Sequence, residues 1–400
     1  MNHINLVLTR NLIGAVLACG LFTLAAADAN AGAREQARRM HDRIAGVPPS
    51  AAVLDAMEAS IQGGNALAAA NLAMENSAFY NVTLKNFVTP WTNEEQTVFA
   101  PLNDYTATVI GMIRDNVPFN TVLSADLLYV GSGGGLPAYS MSNNNHYEAL
   151  ENQGVDLKTG LVATSQSALT SLPASATAGV MTTRAAAQAF FSAGTNRAMF
   201  RFTLMNHLCT DLEPIKDTTR PPDRIRQDVS RSPGGDSRIF LNACVGCHAG
   251  MDPLAQAFAY YDFNETSGSL EYNGAGTVDP ETGTRVQGKY LINSDNFKYG
   301  YVTTDDHWDN YWRSGPNAAL GWSSSLPGSG SGAKSLGMEL ANSESFARCQ
   351  ARKVFKAMCL RAPVDAADRS RIDSMAASFK ANNYSMKRIF AEAAVYCMGD

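Results

Sequence analysis

One pentapeptide in the chain has a spacing that could do chemistry. Cys244-Val245-Gly246-Cys247-His248 follows the C-x-x-C-H pattern of c-type haem attachment. Two thiols three positions apart share one helical turn, so each can form a thioether with a porphyrin vinyl group. The next residue then offers its imidazole to the iron from the same side. Cys244 and Cys247 are therefore the expected covalent anchors of one haem c, with His248 as proximal iron ligand. A thioredoxin-like C-x-x-C would want a βαβ context and makes no use of the adjacent histidine. The pentapeptide occurs once, which argues against a multihaem wire in a single chain.

A second axial ligand has to reach the iron from the opposite face. Met251 is too close in sequence to His248 to pass around the macrocycle and reads as a packing residue. Met338, in Ser335-Leu336-Gly337-Met338, is the distal candidate, because small cytochromes place their methionine C-terminal to the haem. His307, beside Trp308, and His207, near Met205, are alternatives, as is a five-coordinate iron. Arg220, Arg224, Arg226 and Arg231 fall in a polar stretch at 211–235. They read either as solvated loop cations or as partners for haem propionates.

The elements that must position these residues are mostly helical. Residues 34–125 form an N-terminal region of amphipathic stretches, and 126–267 a central helical region that carries the haem motif. Within it, 183–191 and 197–208 are expected helices. Gly234-Gly235 breaks the chain, and Asp236 can cap a short helix through Ile239, Phe240 and Leu241 into Cys244. Beyond the motif, Asp252-Pro253 reads as an N-cap followed by an N1 proline. Leu254, Ala257, Phe258 and Tyr261 then form a helical apolar stripe.

The period changes at 268–305, where 269–273 and 285–292 flank Asp279-Pro280-Glu281-Thr282-Gly283 as a β-hairpin insertion. Residues 306–400 form a C-terminal helical unit. Its stripes are Ala351, Val354, Phe355, Met358; Ile372, Met375, Ala376, Phe379; and Met386, Ile389, Phe390, Ala393, with Asp365 and Ser385 at helix starts. Short connections force these three helices into an up-down-up arrangement. Two glycine-rich runs lack the spacing of nucleotide loops. Gly131-Ser132-Gly133-Gly134-Gly135 leads into Pro137, and in Gly328–Ser335 Ala333 separates the last glycine from Lys334.

Composition bounds the rest. The chain has 400 residues, 45% of them hydrophobic and 17% charged. With 32 basic against 37 acidic side chains the formal charge is −5, no footprint for nucleic acid or an anionic membrane surface. Arg10, an apolar run at 12–24 and Ala25-Ala26-Ala27-Asp28-Ala29 make residues 1–27 a secretory signal peptide, with cleavage between Ala27 and Ala33. Lipid attachment at Cys19 is the weaker reading, since Leu17 suits a lipobox poorly and the following tether is apolar. The apolar run is too short to span a bilayer and no second one follows, so no transmembrane helix is expected after cleavage. Periplasmic or extracellular export also bears on the remaining cysteines. Antiparallel packing puts Cys359 near Cys397, which leaves Cys209 for Cys349. Cys349 and Cys359 are about 15 Å apart along one helix, too far to bridge.

These residues together carry a resemblance. Asn242 to Phe263, with Cys-His followed by Met251-Asp252-Pro253-Leu254, resembles the haem motif of the planctomycete-type cytochrome c modules. Phe346-Ala347-Arg348-Cys349, Leu360-Arg361 and the stretch from Tyr384 are similar to that family's C-terminal helical domain. Pro118-Phe119 to Asp126-Leu127 and Gly160-Leu161-Val162-Ala163-Thr164 fit the module before the haem, and Gly46-Val47-Pro48-Pro49-Ser50 weakly echoes an earlier one. The chain departs from the pattern in its compactness and its extra cysteines. The resemblance implies a mainly α, cytochrome c-like fold, haem binding and electron transfer with a redox partner protein or other cytochrome subunits. The alternatives are a haem enzyme of peroxidase or dioxygenase type, or a structural subunit organised by its haem. No second haem motif, Ser/His/Asp set or paired carboxylates supports the enzyme reading.

Overall fold

A computed structural model describes residues 31–191, 196–224, 237–278 and 303–399. The expected signal peptide, Cys19, Arg226, Arg231, Gly234 to Asp236 and the second limb of the expected hairpin lie outside the described residues.

Local chemistry explains most helix starts. The chain opens with α1 (Ala33–Ala45), α2 (Ala51–Gln62) and α3 (Ala66–Met74). Side-chain oxygens of Ser50 and Asn65 accept from the first-turn amides Val53 N and Ala68 N, meeting donors that the helix itself cannot satisfy. A π-helical turn, Phe79–Leu84, runs into the short helix Lys85–Val88, and α4 (Asp104–Arg114) follows after a loop, buried along nearly its whole length. Gly111 lets the ring of Tyr129 lie against α4, where a Cβ would sit 2.2 Å from that ring.

The central region is less helical than its sequence suggests. It contains an antiparallel pair, β1 (Leu128–Gly131) with β2 (Leu161–Thr164), flanking α5 (Asn145–Asn152). Four-residue strands with one ladder partner are too short for a period-two pattern to stand out. The expected helices at 183–191 and 197–208 are α6 (Arg184–Phe190), capped by Thr183, and α7 (Arg197–Thr203), prolonged by the π-turn Leu204–Leu208.

The C-x-x-C-H pentapeptide runs from the N-cap Cys244 into α8 (Val245–Ala255). Here the expected boundary at Asp252-Pro253 is corrected. α8 runs through Pro253, third from its C-terminal end, and Asp252 faces a buried ion pair instead of capping a new helix. The stripe ending at Tyr261 is corrected too. Tyr261 begins β3 (Tyr261–Asn264), which pairs antiparallel with β4 (Ser269–Tyr272). The strand expected at 269–273 thus exists, but the partner seen is the segment before it. β5 (His307–Asp309) pairs with β6 (Ser329–Ser331), so the glycine-rich run before α9 (Gly332–Ala341) is partly strand.

The C-terminal unit has the expected three helices, α10 (Glu344–Cys359), α11 (Ala366–Ala381) and α12 (Met386–Cys397). Asp365 and Ser385 cap α11 and α12 through Asp368 N and Arg388 N. Both expected disulfides are present: Cys209–Cys349 with Cα atoms 5.2 Å apart and Cys359–Cys397 with 5.3 Å. One buried apolar cluster runs from Ala37 to Ala394, so the N- and C-terminal regions share a core. Phe390 of α12 meets the rings of Phe79 and Phe87 edge-on, each at 5.3 Å. Among the described residues no helix is long and apolar enough to cross a membrane.

Candidate haem-attachment site

A single helical turn, Ser237–Ile239, passes into the π-turn Phe240–Cys244 and then into α8. Cys244 sits at that junction, and Cys247 and His248 lie on the first turn of α8. The motif residues are therefore on adjoining turns, as the spacing requires. Both thiols are free and partly exposed, while the other four described cysteines are paired. Cys247 Sγ lies 3.7 Å from the carbonyl of Leu212. Burial pushes its thiol up, with nearby Glu213 adding to the shift.

His248 is tied from below. Its Nδ1 donates to Asp252 Oδ2 at 3.2 Å, one helical turn on, which leaves the Nε2 lone pair for a metal. Asp252 is itself buried, its side chain 5% exposed. Arg197 grips it with a two-pronged bond, Nε to Oδ1 at 2.9 Å and the terminal nitrogen to Oδ2 at 2.8 Å. Burial opposes the Asp252 charge, but the Arg197 guanidinium and the His248 hydrogen bond outweigh it. The carboxyl is held far below its usual range.

Arg197 is aimed by its own neighbour. Asn196, in left-handed backbone at φ 56°, donates to the carbonyls of Phe258 at 2.6 Å and Tyr261 at 2.9 Å. That anchors the start of α7 on the chain just beyond α8. On another face of α8, Gly246 O accepts from Asp217 N at 2.9 Å, and Gly250 packs on the buried indole of Trp312. The helical turn and the π-turn present apolar side chains outward where they join, with Ile239 40% and Leu241 57% exposed. The ring of Phe240 lies 5.7 Å from that of His248.

The other candidates are elsewhere. Met338 is on the exposed face of α9, 43% exposed, while that helix packs through Ala333, Leu336, Gly337 and Leu340. His307 is at the start of β5, with its Nε2 3.5 Å from Asp309. His207 is fully enclosed by Trp91, Tyr105 and Phe346, and its Nε2 shares a 2.7 Å hydrogen bond with the Tyr105 hydroxyl. Met251 is core, as expected. Arg220 and Arg224 are neither solvated nor free. Arg220 pairs with Asp217 and Arg224 with Asp309.

Sequence reasoning missed the Arg197–Asp252 clamp. The i, i+4 spacing from His248 to Asp252 was a usable signal. Arg197, 55 residues away, offered none. Among the described residues no group of three or more His, Cys, Asp or Glu side chains is arranged to hold a bare metal ion. The chain matches no protein-family model, no curated protein and no solved structure.

Proposed function

We propose that this chain is an exported electron-transfer protein carrying one covalent haem c on Cys244, Cys247 and His248. The observation that carries the reading is the join of spacing and geometry. Two free thiols and an imidazole follow one another at a helix start, and the imidazole is held by Nδ1 so that Nε2 is available. A metal bound through His248 needs further donors, and a porphyrin supplies four of them. When bound, the haem supplies a one-electron couple at its iron.

The chain's own residues then anchor, orient and shield. Cys244 and Cys247 fix the macrocycle edge covalently. Asp252 and Arg197 keep the His248 ring from rotating. Ile239, Phe240 and Leu241 offer apolar cover beside the thiols. Two disulfides are compatible with the oxidising compartment beyond a secretory signal, the periplasm or the exterior. A redox partner protein or other cytochrome subunits would exchange the electron.

The test is haem staining of a denaturing gel, with protein produced in a cytochrome-maturing host. Stain that stays with the wild-type band, and is lost in the Cys244→Ala/Cys247→Ala variant, is the expected result. An unstained wild-type band sinks the reading. Carbon monoxide then separates carrier from catalyst. Weak binding by the reduced protein fits a carrier, and rapid binding favours the enzyme.

A further inference from the structure

We propose that Asp252, clamped by Arg197, strengthens His248 as an iron donor and biases the bound haem towards its ferric state, giving the protein a low reduction potential. The inference rests on the haem reading above and adds two positioning residues that act through His248.

Three observations carry it. The first is the contact itself: a carboxylate oxygen, not a backbone carbonyl, lies 3.2 Å from His248 Nδ1. A charged acceptor draws the Nδ1 proton and leaves more electron density on the ring than a neutral one does. The second is burial. Asp252 is 4% exposed, so its charge acts on the ring with little screening by water. The third is Arg197, which uses two prongs on the two carboxylate oxygens at 2.9 and 2.8 Å. A fork of this kind fixes the plane of the carboxylate and keeps it ionised, so it remains an acceptor for the ring N–H.

The direction follows from charge. Ferric iron carries one more positive charge than ferrous, so an electron-rich, anion-backed imidazole stabilises it more. A structural carboxylate placed only to stitch α7 to α8 would give the same packing, yet would need no contact with His248. Asp252 instead divides its oxygens between the two partners, with Oδ2 shared by Arg197 and His248.

The experiment is redox titration of the haem-loaded wild type and of Asp252→Asn. The amide keeps the shape and an acceptor oxygen but removes the charge. The ferrous-to-ferric equilibrium should shift at least tenfold towards ferrous, about 59 mV for one electron. A stained, folded Asp252→Asn protein with an unchanged potential overturns the proposal. Absence of stain in the wild type would instead overturn the haem reading. Should Asp252→Asn fail to fold, the wild type alone decides. Its His248 Nδ1–H resonance should exchange slowly with solvent, and fast exchange overturns the proposal.

Discussion

Two glycines of the motif helix show how tightly its surroundings are built. A Cβ on Gly250 would stand 2.0 Å from Trp312 Nε1 and 2.4 Å from its Cε2. Trp312 is 1% exposed, packs 5.9 Å from the ring of Phe200, and cannot swing away. A Cβ on Gly246 would meet Thr218 Cγ2 at 3.1 Å and Lys216 Cβ at 3.3 Å, a smaller overlap on a less enclosed segment. Replacing either by Ala gains about 1 kcal/mol of helix propensity. Overpacking at a buried indole costs about 1–3 kcal/mol. Gly250→Ala should therefore lower the melting temperature, and Gly246→Ala should lower it less or not at all. Equal melting curves for both variants and the wild type would show that the indole has room to move. Among the described residues the same indole nitrogen has no hydrogen-bond partner, so the ring itself is held by packing.

At the scale of elements, the two disulfides tie down different things. Cys359–Cys397 joins the end of α10 to the end of α12 across a separation of 38 residues. Cys209–Cys349 closes a separation of 140 and fixes the segment after the π-turn Leu204–Leu208 against α10. Loop-closure entropy gives about 4 kcal/mol for the first and about 5 kcal/mol for the second, as upper figures. Denaturant unfolding of Cys209→Ser/Cys349→Ser should accordingly show the larger loss of stability, and the reverse order would show that residual structure in the unfolded chain dominates. The Cys359–Cys397 pairing was legible because it follows from helix lengths and an up-down-up path, and Cys209–Cys349 was legible only as the pair that remained. The three C-terminal stripes were legible because they are long, periodic and capped. The β1–β2 and β3–β4 ladders were not, since four residues carry too little pattern to tell a strand from a helix edge. Asp252-Pro253 misled because a capping pair and a buried ion pair look alike in one dimension. Only the contact with Arg197 separates them.

For the whole molecule, acid sensitivity depends on groups that folding keeps from binding protons. His207 is enclosed by three aromatic rings, and among the described residues its Nδ1 has no partner. Burial, and then the nearby Lys353 ammonium, push its pKa well below the ordinary 6.5. The unfolded chain binds that proton near pH 6.5 while the folded chain does not. The stability is thus fully present above about pH 6.5 and is lost as pH falls towards the folded value. Asp252 has a depressed pKa as well, through Arg197 and His248 acting against burial. Its contribution is present above about pH 3.9 and is lost only below it, so the two windows are separate. Between pH 6.5 and 5, the His207 proton should make the unfolding free energy fall by up to about 1.4 kcal/mol per pH unit. Gln at 207 can still accept from the Tyr105 hydroxyl but takes up no proton. Unfolding of His207→Gln followed from pH 8 to 5 should show a shallower decline than the wild type, with the two curves converging as pH falls. Parallel curves across that range would mean that His207 becomes protonated in the folded protein, and that its aromatic enclosure opens to water.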